Sequence, residues 1–221
     1  MNYVSALRFR WLTRFYDPVV AVTTREAMFR RRLLEQASLQ AGQGVLDLAC
    51  GSGTMATLIK RRYPQVSVTG LDADPEILAL ARAKAQGAGM DIRFDEGLSN
   101  ALPYGESEFD VVFSSLFFHH LDSDSKARTL QEVIRVLRPG GTLHACDWGR
   151  PSNAALRLSF SFVRILDGFE VTRDNAQGRL PQMMKVAGFT GVAVTSTLNT
   201  PLGTLDFIVA EKARDGDRHA A

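Results

Sequence analysis

The stretch that decides the fold is Val45-Leu46-Asp47-Leu48-Ala49-Cys50-Gly51-Ser52-Gly53-Thr54, in which an apolar run meets a pair of glycines and then a segment of helical period. That order reads as a buried strand, a tight loop and the start of a helix. Gly51 and Gly53 have no Cβ to hold a ligand away from the backbone. Their amides and the following helix N-terminus form a cradle for a carboxylate, a phosphate or a polar cofactor. A short Gly-x-Gly also serves as a plain strand-to-helix turn, so the next strand has to decide between the two. The run 66–71 ends in Asp72, where an acid at the carboxyl end of a parallel strand accepts hydrogen bonds from a ribose diol. Asp74 and Pro75 already supply the cap and first residue of a helix reaching about residue 86, which leaves Asp72 for a ligand.

Outward from this unit, short strand-like runs alternate with helical segments, the signature of a doubly wound α/β fold with a mostly parallel sheet. Strands are expected at 45–48, 66–71, 90–94, 111–114, 142–147, 192–198 and 205–210, which makes seven. A helix over 125–137 carries Ala127, Leu130, Val133, Ile134 and Leu137 on one face and stops at Pro139-Gly140-Gly141. Only the turn-rich 199–204 separates the last two strands, too little for a parallel crossover, so they should close the sheet as an antiparallel hairpin. Residues 5–40 read as two helices broken near Asp17-Pro18, a lid or flank. The whole is expected to be one domain: this flank over 1–40, a cofactor-binding core over 41–150, substrate-side helices and hairpin over 151–212, and a frayed tail over 213–221.

The composition is that of an ordinary globular chain. Its 221 residues include 26 Lys+Arg against 24 Asp+Glu, a net charge of +2, with 45% hydrophobic residues. That balance argues against a dedicated nucleic-acid binder. No uncharged apolar run reaches the roughly 18–20 residues of a membrane span, and Arg8, Arg10 and Arg14 interrupt the opening, so a cytoplasmic protein is expected. Cys50 and Cys146 form no disulfide framework and read as reduced thiols. Arg30-Arg31-Arg32, together with Arg157 and Arg164 in the apolar 156–166, suit an anionic substrate or peripheral membrane contact, or simply a solvated helix face. Phe160, Phe162 and Phe169 are expected to wall a pocket. Nothing in the sequence sets the oligomeric state.

Four segments carry a resemblance: 45–54 (VLDLACGSGT), 69–74 (TGLDAD), 109–121 (FDVVFSSLFFHHL) and 137–143 (LRPGGTL). In this order and spacing they resemble the motifs of class I S-adenosylmethionine-dependent methyltransferases. Phe15-Tyr16-Asp17 and the late 183–189 resemble the small-molecule branch, including quinone-biosynthesis C-methyltransferases. The resemblance implies a Rossmann-like methyltransferase fold, S-adenosyl-L-methionine as cofactor and a small, partly apolar methyl acceptor. It places Asp47, Gly51, Ser52 and Gly53 at the methionine end of the cofactor and Asp72 on the ribose. Ala73 and Ile77 would line the adenine, Ser114, Ser115 and Leu116 would approach the amino group and sulfonium, and Tyr16 would close over them. Where relatives read Gly-Asp-Ala, this chain has Gly97-Leu98-Ser99; Leu98 and Ser99 occupy the adenine motif without its carboxylate. Asp95, Glu96, Asn100 or the backbone would have to substitute.

A sulfonium methyl is intrinsically activated, so the protein has mainly to align the acceptor and exclude water. An acceptor that carries a proton also profits from a base, for which His119 and His120 are best placed, although their apolar neighbours equally suit packing. His144 reads as a packed residue of the fifth strand and His219 as part of the tail, and no metal-ligand spacing is present. Asp147 and Trp148 end the fifth strand at the ligand-binding rim, either on substrate or as cap and packing. Two rivals remain. Gly51 to Ala56 also fits the G-x-G-x-x-A of a nicotinamide dehydrogenase, and a methyltransferase-like domain without turnover would have the same motifs. Neither an Asn/Asp-Pro-Pro-aromatic site nor a basic, aromatic-interleaved surface points to nucleic-acid methylation.

Overall fold

A computed structural model describes residues 26–216. Seven strands form one sheet in the order β3-β2-β1-β4-β5-β7-β6. They are β1 (Gly44–Leu48), β2 (Ser67–Asp72), β3 (Arg93–Glu96), β4 (Phe109–Ser115), β5 (Leu137–Trp148), β6 (Phe189–Thr200) and β7 (Gly203–Lys212). β1 to β5 pair in parallel, and β7 runs antiparallel between β5 and β6. The doubly wound sheet and its closing hairpin are as the sequence predicts.

Side chains alternate across the sheet because successive residues of a strand point to opposite faces. On β4, Val111 and Phe113 face one core and Val112 the other, and an irregularity between Phe109 and Val111 puts Phe109 on the Val112 side. Helices α1 (Glu26–Glu35), α2 (Thr54–Arg62) and α3 (Pro75–Gly87) cover the first face, and α4 (Ser123–Val136) the second. Asp74 caps α3, accepting from the amides of Glu76 at 2.9 Å and Ile77 at 3.4 Å. Asp122 caps α4 through the Ser125 amide at 2.7 Å, so this helix starts two residues before its predicted onset. Leu130, Val133 and Val136 of α4 are wholly buried, each stabilising the fold by about 1.5–3 kcal/mol through lost apolar exposure.

Two boundaries differ for local reasons. Met90 was expected to open β3, but its amide donates to the Ala85 carbonyl at 2.9 Å while Gly89 holds φ +63°, a left-handed helix ending. Helix α4 ends before Pro139-Gly140-Gly141 as expected, but strand β5, expected from 142, already begins at Leu137: Leu137 pairs with Phe109 and Thr142 with Val111, so a bulge absorbs the intervening residues. Between β5 and β6 lie α5 (Ala154–Asp167), the single turn α6 (Arg173–Ala176) and α7 (Leu180–Val186). Among the described residues no helix is long and apolar enough to cross a membrane. The break at Asp17-Pro18, Tyr16 and His219 lie outside the described residues.

Candidate active site

The carboxyl ends of β1, β2, β4 and β5 meet on one rim, where open α/β sheets bind ligands. Backbone strain collects there. Ala49 and Leu116 hold φ +56° and +54°, and they directly follow β1 and β4. L residues rarely adopt this conformation, and it persists where surrounding structure enforces it. Gly51 and Gly53, at φ +53° and +70°, complete the loop into α2. A Cβ on Gly51 would meet no atom of the described residues within 4 Å, so among them the space beside it is open, whereas one on Gly53 would stand 3.0 Å from Ala81 and Phe94.

Asp47 is 1% exposed; its Oδ2 accepts from the Ala56 amide at 2.9 Å, while Oδ1 is buried without a partner among the described residues. Burial raises its carboxyl to about 7, against the opposing pull of Arg30. On the adjacent strand Ser114, paired in register next to Leu48, also buries an unpartnered Oγ. Orphaned buried polar atoms cost about 1–3 kcal/mol each; since Asp47 pairs with Phe113 and Ser114 with Leu48, the two side chains point to opposite faces of the sheet, and Asp47 is the one on the α2 side, where its other oxygen holds Ala56. Asp72 accepts from the Gly51 amide at 2.8 Å and the Asp74 amide at 3.1 Å. Its carboxyl is raised by burial, and these amides oppose the shift.

The other predicted positions divide. Ala73 and Ile77 are partly exposed at the start of α3 beside Asp72. Ser52 turns its hydroxyl outward to Lys84 Nζ at 3.1 Å, leaving only its backbone for the loop. Ser115 accepts from Arg30 Nη1 at 3.2 Å. The sequence reading took Arg30 for part of a basic surface; it reaches the rim because α1 packs Phe29 and Leu33 into the core. Leu98 is 49% exposed and closes a small bridge with Ala101, and Ser99 spends its hydroxyl on Thr129 at 3.0 Å. Of the proposed substitutes, Asp95 is held by Arg93 at 2.8 Å and Tyr104 at 3.1 Å, whereas Glu96 stands exposed at the end of β3, in register with Asp72.

The two histidines lie on a 3₁₀ turn, Phe118–His120, and differ sharply. His119 Nδ1 lies 2.7 Å from Asp147 Oδ1. Asp147 is fixed in turn by the amides of Phe117 at 3.0 Å and Trp148 at 2.7 Å and by Asn175 Nδ2 at 3.3 Å. Burial works against the charge on both partners, yet their mutual attraction and hydrogen bond outweigh it: His119 is raised above the usual imidazole value and Asp147 is lowered. His120, ring to ring with His119 at 4.0 Å, is pushed down to about 3 by burial and by its charged neighbour. His119 Nε2 faces Asp167 Oδ2 at 3.7 Å, beyond hydrogen-bond length. His119, His120 and Asp167 bring one ligand atom each within 4.8 Å of one another, a convergence that the sequence spacing did not disclose.

Several expectations resolve plainly. His144 is packed, bonded to Gln36 at 3.0 Å and Thr142 at 3.1 Å and stacked on Phe113. Cys50 and Cys146 are free and buried, and burial raises both thiols. The phenylalanine wall does not form as expected. Phe160 is 1% exposed, but Phe162 is more than half exposed, since positions two apart on a helix point to nearly opposite sides, and Phe169, beyond the end of α5, is more than half exposed as well.

Comparison with known proteins adds independent findings. Residues 45–141 match the family described as Methyltransferase domain. A demethylmenaquinone methyltransferase of Thermus thermophilus is 38% identical over 140 residues, covering 62% of this chain and 63% of that protein. One of Deinococcus radiodurans is 34% identical over 180 residues, covering 73% of each chain. Among solved structures, an S-adenosylmethionine-dependent methyltransferase of Methanosarcina mazei superposes with a TM-score of 0.65 at 24% identity, over 80% of this chain and 95% of that one.

Proposed function

Because the chain belongs to the S-adenosylmethionine-dependent methyltransferase family, we propose that the rim of β1, β2 and β4 holds the cofactor and that the acceptor enters beside β5. When bound, S-adenosylmethionine supplies an electrophilic methyl group on a sulfonium, open to in-line displacement by a small molecule. The observation that supports the site assignment best is Asp47 Oδ1, buried on the strand that leads into the glycine loop and without a partner among the described residues. It suits the polar methionine end of that cofactor, the open side of Gly51 admits it, and Asp72 keeps lone pairs for the ribose hydroxyls.

His119 is the base in this reading. Asp147 Oδ1 accepts a hydrogen bond from Nδ1–H, which leaves Nε2 as the basic atom when the ring is neutral. Asp147 therefore orients the ring, while His120, neutral at working pH, shapes its surroundings. A base is of use because the two curated relatives are named for demethylmenaquinone. That name supports a partly apolar ring acceptor whose carbon or oxygen sheds a proton on methylation.

Calorimetric titration with S-adenosylmethionine, S-adenosylhomocysteine and NADH tests the cofactor assignment. The first two should bind and the third should not. Asp72→Ala should weaken S-adenosylhomocysteine by about 10–100-fold, the value of one or two hydrogen bonds to a charged group. Wild-type affinity in Asp72→Ala would remove the ribose assignment.

A further inference from the structure

A cleft of about 470 Å³ opens beside the end of β5, lined by Arg150, Arg157, Arg164 and Arg173 around Phe160 and Gln177. We propose that this cleft binds an anionic group, a phosphate or carboxylate, on the methyl acceptor. The inference rests on the methyltransferase reading for the word acceptor, but the anion site stands on its own geometry.

Arg157, Phe160 and Arg164 are spaced i, i+3, i+7 on α5, so one helix face supplies half of the arginines and the apolar wall. Arg164 is fixed in place: Nε donates to Thr172 Oγ1 and Nη2 to the Phe169 carbonyl, both at 3.3 Å, and the guanidinium lies 4.6 Å from the Phe169 ring centre. No carboxylate lines the cleft, and among the described residues none pairs with these four arginines. Nearby acids are turned away. Asp167 faces His119 and Asp174 is buried against Lys126 Nζ at 3.3 Å. Guanidinium groups stay protonated and repel one another, and a bidentate oxyanion relieves that repulsion. The volume is that of a small-molecule site.

The same elements tie the cleft to the base. α6 contributes Arg173 to the cleft and Asn175 to Asp147. Trp148 packs on Phe160 at 5.5 Å between ring centres and edge-on to His119 at 6.3 Å, so it forms the partition between them. A ligand anchored on the arginines has its apolar body against Phe160. A bilayer is the competing source of phosphate. The exposed Leu158, Phe162 and Ile165, however, project from a different face of α5 than Arg157 and Arg164, which favours a free small molecule.

The full chain should be titrated with 1-naphthyl phosphate, with neutral 1-naphthol, and with phosphatidylglycerol and phosphatidylcholine vesicles. S-adenosylhomocysteine is titrated in parallel. The phosphate should bind at least about tenfold tighter than the naphthol. The double change Arg157→Gln with Arg173→Gln should erase that preference, leaving the naphthol and S-adenosylhomocysteine affinities unchanged. Both arginines are exposed, so the fold should tolerate their loss, and circular dichroism checks it. Equal affinity for the two naphthyl probes, or a preference retained in the double variant, overturns the proposal. Binding to phosphatidylglycerol vesicles that 1-naphthyl phosphate does not displace overturns it too, in favour of a lipid surface. Anion binding without S-adenosylhomocysteine binding would instead remove the cofactor assignment and leave the cleft standing.

Discussion

The rim of β1 and β2 and the segment after β5 are built by opposite means. At the rim, backbone does the positioning: strand ends, glycines of positive φ and amides that hold Asp72 lie within a short span of chain. After β5, side chains distant in sequence hold one another, as His119 does Asp147 and Lys126 does Asp174. The first arrangement makes a general receptacle for a cofactor. In the proposed function the second sets proton transfer and acceptor choice, and its side chains lie on other elements than the glycine loop. Perturbing one region should therefore move cofactor affinity and perturbing the other should move turnover.

The largest effect is expected from His119→Gln. It should lower turnover by roughly 10²–10⁴-fold, the usual contribution of a positioned base, with S-adenosylhomocysteine affinity within about threefold of wild type. Next, Gly51→Val should weaken S-adenosylhomocysteine by at least about 100-fold. The side chain enters the open side of the loop, and the β-branched residue is strained at φ +53°. Turnover unaffected in the first case, or affinity unaffected in the second, would break the division of labour.

Asp147→Asn sharpens it through pH. With its pKa raised, His119 becomes a neutral base only above the ordinary imidazole value of about 6.5, so the rate should climb with pH on that side. Removing the Asp147 charge leaves burial dominant and should move the limb below about 6.5. Stability runs the other way. The raised His119 contributes fully below about pH 6.5 and loses its contribution as pH rises through its folded value; the lowered Asp147 contributes above about pH 3.9 and loses its contribution as pH falls. The melting-temperature gap between wild type and variant should thus peak between about pH 4 and 6.5. The smallest effect is expected of His120→Phe, within about threefold in turnover, since this ring titrates at about 3 and stays neutral. Addition of EDTA should change nothing; a loss restored by a divalent cation would recast His119, His120 and Asp167 as a metal centre.

Much of this was legible before any coordinates. Asp74 could be read as a cap and the closing hairpin as antiparallel, because each depends on neighbours a few residues away. That α4 ends before Pro139-Gly140-Gly141 could be read locally, but not that β5 already starts at Leu137, because the bulge that absorbs those residues forms only when β4 lies alongside. Arg30 looked like one of three surface arginines. Only the packing of Phe29 and Leu33 turns it toward Ser115, and no pattern in the sequence carries that information. Leu98 could be seen to lack a carboxylate, but the commitments of Asp95 and Ser99 to other partners emerge only in the fold.

By itself the sequence determined the sheet, the glycine loop and the acid after β2, since hydrophobic period, glycine and capping chemistry act over a few residues. The tertiary structure alone decided that His119 rather than His120 is paired with a carboxylate, and that arginines 150, 157, 164 and 173 share a cleft. Those facts depend on where β5, α5 and α6 come to lie. Contacts between residues 28 or more positions apart are set by packing, which local sequence does not encode.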